Sequence, residues 1–542
     1  MISNFRQCEG FMTTWDQTQL YYRSWIPPVP PHKALILFHR GHEHSARVDE
    51  FVQQLDLQDF AIFAWDARGN GNSPGPRDYA DNFSVYVKDA QAFVNFISEK
   101  YQIPVENIVV LAHSVGGVIA STWVHDYAPP IKALILVTPA FRIKLYVPFA
   151  ISILRWAQKI NVLKVVPSYV KAKVLTHDPE QIEKYNEDPK ITKSISTNIL
   201  LDVHDTSTRV VADAGAIRVP TLLLGAGSDW VVKLSSQKKF FERLSSSVKE
   251  MEVYPKFYHA IFHERERHLP LAKVREFILK AFQNEPVPTS LIDAHKGGYT
   301  KSEFDRLANA NGSLSFGFQR LMLKTVGGLS QGVRLGWRTG FDSGATLDYV
   351  YANKARGITI LGRFIDRCYL NSIGWKGIRQ RKIHLEKLLR AVIRRASIEE
   401  KPVRVLDVAA GPGRYILETM KEMSQFPISA LLRDNTQANL EAGLSLAKEL
   451  KVSNVTFIKA DAFDQKSLAS IFPKPTIAIV SGLYELFPDN DRVLNSLRGL
   501  SEAVQEGGYL IYTDQPWHPQ VEFIARVLTN REGKPWVMRR RT

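Results

Sequence analysis

Apolar positions fall in short runs along the first half of the chain, at 34–39, 61–64, 108–112, 133–137 and 221–225. Runs this short, separated by helical patterns, read as parallel strands buried on both faces. A second series follows at 403–408, 428–432, 455–459, 476–480 and 509–513. Between the two series, residues 291–398 are first glycine-rich and irregular, then basic and helical. The polar, proline-bearing stretch 284–290 reads as a linker. The pattern therefore predicts an α/β domain over 1–285, a linker with a basic helical segment over 286–398, and a second α/β domain over 399–542.

A chain of 542 residues is too long for one core, which agrees with this division. With 45% apolar and 23% charged residues it has the composition of a globular protein. The two cysteines, Cys8 and Cys368, are too few for a disulfide framework and fit a reducing compartment. Residues 1–16 lack the basic start and apolar run of a secretory signal. The most apolar long stretch, 145–166, is broken by Arg155, Gln158, Lys159, Asn161 and Lys164, so no bilayer span is expected. These features point to a cytoplasmic protein, soluble or peripheral at the membrane.

The net charge of +15 is uneven, with +3 on residues 1–285 and +12 on the remainder. The densest region is 354–395: Lys354, Arg356, Arg363, Arg367, Lys376, Arg379, Arg381, Lys382, Lys387, Arg390, Arg394 and Arg395, opposed only by Asp366 and Glu386. Such a surface favours anions, among them an acidic lipid surface. Nucleic acid is not expected, because the basic residues lack interleaved aromatics and no nucleic-acid motif occurs.

The run 108–112 leads into Ala112-His113-Ser114-Val115-Gly116-Gly117, and a helical pattern follows. Strand, tight turn and helix are the setting of a nucleophile elbow, with Ser114 as the nucleophile. Asp229 follows the next strand end but one, and His259 comes later in the chain. Serine, then aspartate, then histidine is the order in which an α/β-hydrolase carries its triad. His259 would take the serine proton, and Asp229 would orient the imidazole. The oxyanion hole requires two backbone N–H donors, one from Val115 and one from the loop His39-Arg40-Gly41-His42-Glu43-His44-Ser45.

These residues, with Asp66-Ala67-Arg68-Gly69-Asn70-Gly71-Asn72-Ser73, Phe83 and Asp89, resemble the monoacylglycerol lipase and lysophospholipase (serine aminopeptidase-like) group of hydrolases over about 10–283. The resemblance implies that Gly41 supplies the second oxyanion donor and that Arg40 and His42 stand where the family has glycines. His39, His42 and His44 together would suit a metal, but the triad explains the chemistry without one, so these histidines are expected to order the loop. Residues 140–215 would form the inserted cap. Its apolar and aromatic stretch reads either as a packed helical lid or as an interfacial helix that admits an acyl chain.

In the second domain, Val405 to Tyr415 reads as a strand followed by a glycine turn, with Gly411 and Gly413 allowing close approach to the backbone. Ile416 departs from a dinucleotide fingerprint. The stretch resembles motif I of class I S-adenosylmethionine-dependent methyltransferases, a Rossmann-like fold, over about 340–542. The resemblance implies that Asp407, Ala409, Gly411, Gly413, Asp434, Asp461 and Ala462 surround S-adenosylmethionine, with Asp434 on the ribose and Asp461-Ala462 beside the adenine. Tyr484 and Glu485 occupy a position that often faces the acceptor. The family sheet carries two more strands after its fifth, whereas only about 29 residues follow Thr513, so the expectation is either an incomplete sheet or a truncated version of a longer protein.

The combined reading is a bifunctional enzyme, a serine hydrolase of a lipid-like acyl ester joined to a methyltransferase of unknown acceptor. Its rival is an esterase of a small soluble ester, with a non-catalytic second domain that docks on anionic membrane.

Overall fold

The computed structural model describes residues 5–160, 162–283, 298–309, 313–515 and 518–541. The chain divides into two compact units, Met1–Leu291 and Ile292–Thr542. The expected linker at 284–290 lies outside the described residues.

The first unit is built on an eight-stranded sheet. Its spatial order is Arg6–Thr13, Gln19–Ile26, Phe60–Trp65, Lys33–Phe38, Ile108–His113, Ala133–Val137, Thr221–Ala226 and Lys249–Tyr254. The first two strands pair antiparallel, Gln19–Ile26 meets Phe60–Trp65 antiparallel, and all later neighbours are parallel. Alternate residues of one strand enter cores on opposite faces: Ala34, Ile36 and Phe38 on one, Leu35 and Leu37 on the other. Burial on both faces explains why these strands read as unbroken apolar runs. The expected cap is present between Val137 and Thr221 as helices Ala150–Lys159, Pro179–Glu187 and Thr197–Ala212, with the small antiparallel pair Val165–Pro167 and Ser194–Ser196.

The second unit contains an all-parallel sheet ordered Val455–Lys459, Ile428–Asp434, Val403–Asp407, Ile477–Val480, Tyr509–Tyr512. The order reverses between Val403–Asp407 and Ile477–Val480, which makes a ligand crevice at the carboxyl ends of these strands. The boundary expected at residue 398 falls inside this unit. Phe341, Val350, Leu370 and Trp375 from the helical segment share one core with Ile524, Val527, Trp536 and Met538. After Tyr509–Tyr512 the described residues form helix Val521–Val527 and an extended segment with Trp536 and Met538 buried.

Part of the basic segment is neutralised from outside itself. Arg381 meets Glu485 at 3.2 Å, Lys382 meets Glu418 at 2.6 Å and Arg390 meets Glu422 at 2.7 Å. Asp366, which opposed the cluster in sequence, is instead buried and accepts from the backbone N–H groups of Gly332 and Arg356, each at 2.8 Å. Among the described residues no helix is long and apolar enough to cross a membrane.

Candidate active site

Ser114 sits between strand Ile108–His113 and helix Val115–Tyr127 with φ +55°. A non-glycine residue in this region carries strain, the expected state of a nucleophile on a sharp turn. Gly116 makes the turn sterically open: a Cβ there would lie 2.5 Å from the His39 carbonyl oxygen and 2.7 Å from that of Phe38. The turn is fixed by Ser114 N–H donating to Val137 O and Ala140 N–H donating to Ser114 O.

The structure brings the three distant residues together. Ser114 Oγ lies 2.8 Å from His259 Nε2, and His259 Nδ1 lies 2.8 Å from Asp229 Oδ2. A carboxylate only accepts, so Nδ1 carries the proton and Nε2 is left to accept from the serine hydroxyl. The second carboxylate oxygen of Asp229 accepts from Val231 N–H at 2.7 Å and Val232 N–H at 2.9 Å. Burial opposes ionisation of Asp229, yet the charge of His259 and these bonds hold its carboxyl below the ordinary range. The His259 carbonyl accepts from Thr138 Oγ1 and His113 Nε2, each at 3.0 Å. Burial holds His113 well below the usual histidine range, so it acts there as a neutral donor.

Gly41 and Val115 face each other across the turn, a Cβ on Gly41 falling 3.1 Å from Val115 Cγ2. Among the described residues neither backbone N–H has a protein acceptor. The loop histidines, Arg40 and Glu43 are engaged, whereas Ser45 Oγ is buried without a partner. His39 Nε2 accepts from Ala67 N–H, His42 Nδ1 meets Asp78 Oδ2 at 2.6 Å, and His44 Nε2 meets Asp188 Oδ2 at 2.9 Å. Arg40, in place of a small residue, forms a two-pronged ion pair with Glu43. The Asp78 and Asp188 partners come from distant segments, and no signal in the loop itself announces them. Asp66 accepts from Ser45 and Asn72 N–H groups, and Arg68 grips Asp89 through two bonds of 2.8 Å.

Ser114 and His259 open onto a cavity of about 310 Å³. Its walls are mainly apolar and come largely from the cap, including Leu145, Ile153, Leu154, Ile195, Ile199 and Val203. On its outer side the cap exposes Phe149 (82%) and Trp156 (64%), together with Val162.

In the second unit, a smaller cleft of about 60 Å³ holds four of the seven residues expected around a cofactor, namely Ala409, Gly411, Gly413 and Asp434. Asp407 is not in its wall. It is buried beneath the turn, where it accepts from Ala409 N–H at 3.0 Å and from the Tyr415 hydroxyl. Burial pushes its carboxyl up to about 7. Asp461 and Ala462 also lie outside the wall, Asp461 capping Phe463 N–H and Ala462 entering the core. Asp434 accepts from Gly411 N–H at 3.0 Å, Thr436 N–H at 2.9 Å and Asn439 Nδ2 at 3.0 Å. The cleft also draws on Asp342, Asp348, Tyr351 and Arg531, which sequence reasoning did not single out. Gly344, at the start of helix Gly344–Ala352, packs against the turn: its Cα would lie 3.4 Å from a Cβ on Gly411. Of the two acceptor candidates, Glu485 pairs with Arg381, while Tyr484 donates to Ser496 Oγ at 3.0 Å.

Residues 29–266 match the model of the family described as serine aminopeptidase, S33, and residues 274–542 match that described as "Putative methyltransferase". The uncharacterized protein YnbC of Escherichia coli (strain K12) is 44% identical over 546 residues, spanning 98% of this chain and 92% of that protein. The chain belongs to the YnbC family. Its first unit is also similar to the monoacylglycerol lipase of Mycolicibacterium smegmatis, 25% identical over 281 residues, which cover 52% of this chain and 99% of the lipase. The crystal structure of Paleococcus ferrophilus monoacylglycerol lipase resembles it at 23% identity and a TM-score of 0.44, covering 48% of this chain and 99% of that one. Within the YnbC-family chain, the sheet order, the strand–turn–helix at Ser114 and the family match over residues 29–266 give the first unit the α/β-hydrolase fold.

Proposed function

We propose that the first unit hydrolyses the ester of a medium or long acyl chain. The observation that carries this reading is the Ser114–His259–Asp229 contact series at the wall of an apolar cavity of about 310 Å³. Ser114 Oγ attacks the carbonyl carbon as its proton passes to His259 Nε2. The resulting oxyanion takes hydrogen bonds from Gly41 and Val115 N–H, donors already fixed by the turn. Collapse expels the alcohol, which receives the proton from His259, and leaves the acyl group on Ser114. Water, deprotonated by His259, then releases the acid. The relatives named as lipases support an acyl or monoglyceride substrate for this cavity. The outward Phe149 and Trp156 favour the interfacial form of the cap, since each large side chain moved from water into lipid contributes about 1.5–3 kcal/mol. A series of p-nitrophenyl esters tests the proposal: octanoyl should be cleaved faster than acetyl, and the reverse order would remove the lipid reading.

For the second unit we propose S-adenosylmethionine binding at the glycine turn. The residues suit the cofactor in kind: Asp434 for the ribose hydroxyls, the turn at Gly411 and Gly413 for close backbone approach, and Ser481 Oγ, buried there without a partner. When bound, the cofactor supplies an electrophilic methyl group. The cleft is narrow, with the start of helix Gly344–Ala352 packed against the turn. Titration calorimetry decides the matter. Saturable binding that Asp434→Ala abolishes is expected, and no binding to the native chain would leave the unit without this role.

A further inference from the structure

Helix Ile360–Leu370 buries Gly362, Asp366 and Leu370 and exposes Ile360, Leu361, Arg363, Phe364 and Arg367. At 100° per residue the exposed positions fall on one face, so three large apolar side chains share it with two arginines. Ile360 is 80% exposed, and Ile358 just before the helix and Ile373 just after it are exposed as well. Helix Leu314–Lys324 has the same build. Its outer face carries Leu314, Phe318 and Leu321, while Phe316 and Leu323 pack on the core. Both helices pack on the turn Val326–Leu329, where Ile358 N–H donates to Leu329 O at 3.3 Å and Val326 is exposed. Single exposed apolar residues are ordinary, but a group of them on adjoining elements marks a surface that another body covers.

The charges around these helices indicate which body. Residues 313–341 include no acidic residue, and residues 354–380 include only Asp366, which is buried. Among the described residues Lys354, Arg356, Arg363, Arg367 and Lys376 have no ion-pair partner, whereas Arg381, Lys382 and Arg390 are paired. Arg320 and Lys324 lie over the Trp337 ring, at 5.7 Å and 5.1 Å from its centre, and also lack a carboxylate. Two copies of the chain meeting through this face would set like charges against each other. An anionic bilayer surface satisfies both parts of the face at once. The apolar side chains enter the boundary of the acyl region, and the long basic side chains reach back to the head groups.

We propose that the exposed faces of Ile360–Leu370 and Leu314–Lys324 dock the second unit on a bilayer that contains anionic lipid. This surface is separate from the cap, which belongs to the first unit. It requires neither ester hydrolysis nor S-adenosylmethionine binding.

The full chain is mixed with vesicles of phosphatidylcholine, alone or with phosphatidylglycerol, and the bound fraction is read by co-sedimentation. Binding to the mixed vesicles that weakens as salt rises is expected, with far less chain held by phosphatidylcholine alone. Arg363→Gln combined with Arg367→Gln should lower partition onto mixed vesicles about 30-fold, the joint effect of two cations at an anionic surface. Ile360→Ser combined with Phe364→Ser should lower it too, with the thermal midpoint unchanged because both side chains are exposed. Phe149→Ser combined with Trp156→Ser, in the cap, should leave the preference for phosphatidylglycerol intact. No binding, equal binding to the two vesicle types, or mixed-vesicle binding that both second-unit variants leave unchanged overturns the proposal. A native dimer that Ile360→Ser with Phe364→Ser dissociates, with vesicle binding unaltered, overturns it as well and assigns the face to a second copy. Vesicle binding is measured without substrate or cofactor, so failure here is separate from failure of either function proposed above.

Discussion

Arg40 and Glu43 form a two-pronged ion pair whose side chains are only 5% and 4% exposed, beside the loop that carries Gly41. Burial opposes the charge on Glu43, but the facing guanidinium holds its carboxyl well below the usual range. Removing one partner strands the other charge. Glu43→Ala should therefore cost about 3–5 kcal/mol in urea unfolding, while a paired Arg40→Met, Glu43→Leu replacement should recover most of it. With a depressed folded value, the stabilisation is present above the ordinary glutamate value of about 4.3 and is lost only as pH falls well below it.

Ser114→Ala should abolish ester hydrolysis and shift the unfolding midpoint only slightly, because the hydroxyl makes a single hydrogen bond, to His259 Nε2. Asp229→Asn should lower kcat by about 10⁴, since an amide that donates to Nδ1 reverses the imidazole tautomer. Steady-state assays on a soluble ester, paired with thermal melts, check both.

Phe149 and Trp156 give the cap an outward apolar face. Replacing both with serine should sharply reduce hydrolysis of monoacylglycerol dispersed in vesicles. The rate on a monomeric short ester should stay close to that of the native chain. Equal losses on the two substrates would assign these side chains to folding rather than to an interface.

Asp407 has the opposite pH signature to Glu43. Its folded value is raised to about 7, so the folded unit holds this proton more tightly than the unfolded chain does. Stability from this group is full below the unfolded value of about 3.9 and declines as pH rises through 7. Asp407→Asn should thus favour the second unit more at pH 8 than at pH 4, although its amide can accept from only one of the two donors, Ala409 N–H and the Tyr415 hydroxyl. Hydrogen exchange along strand Val403–Asp407 at the two pH values measures this directly.

The strands and the Ser114 turn were legible because their causes are local: apolar runs for buried strands, and small residues where two carbonyls crowd Gly116. The order of Ser114, Asp229 and His259 was legible because the fold spaces them along one chain direction. Long-range pairing was not. Arg381, Lys382 and Arg390 looked like an open cationic face, but their partners Glu485, Glu418 and Glu422 come from later elements. The same holds for an apolar cavity in the second unit, whose walls draw on residues from Leu323 to Met538. Asp461 and Ala462 matched a motif in spacing, yet the strand end directs one into a turn and the other into the core.

The contact of Gly344 with the turn at Gly411 has a consequence for rates. If the turn is reached only from a minor, opened population, a ligand cannot bind faster than that population forms. The observed association rate should then climb with ligand concentration and level off at the opening rate of helix Gly344–Ala352, rather than rise without limit. Affinity would be lowered by the same small open fraction, so loosening this one helix would tighten binding without touching a single ligand contact.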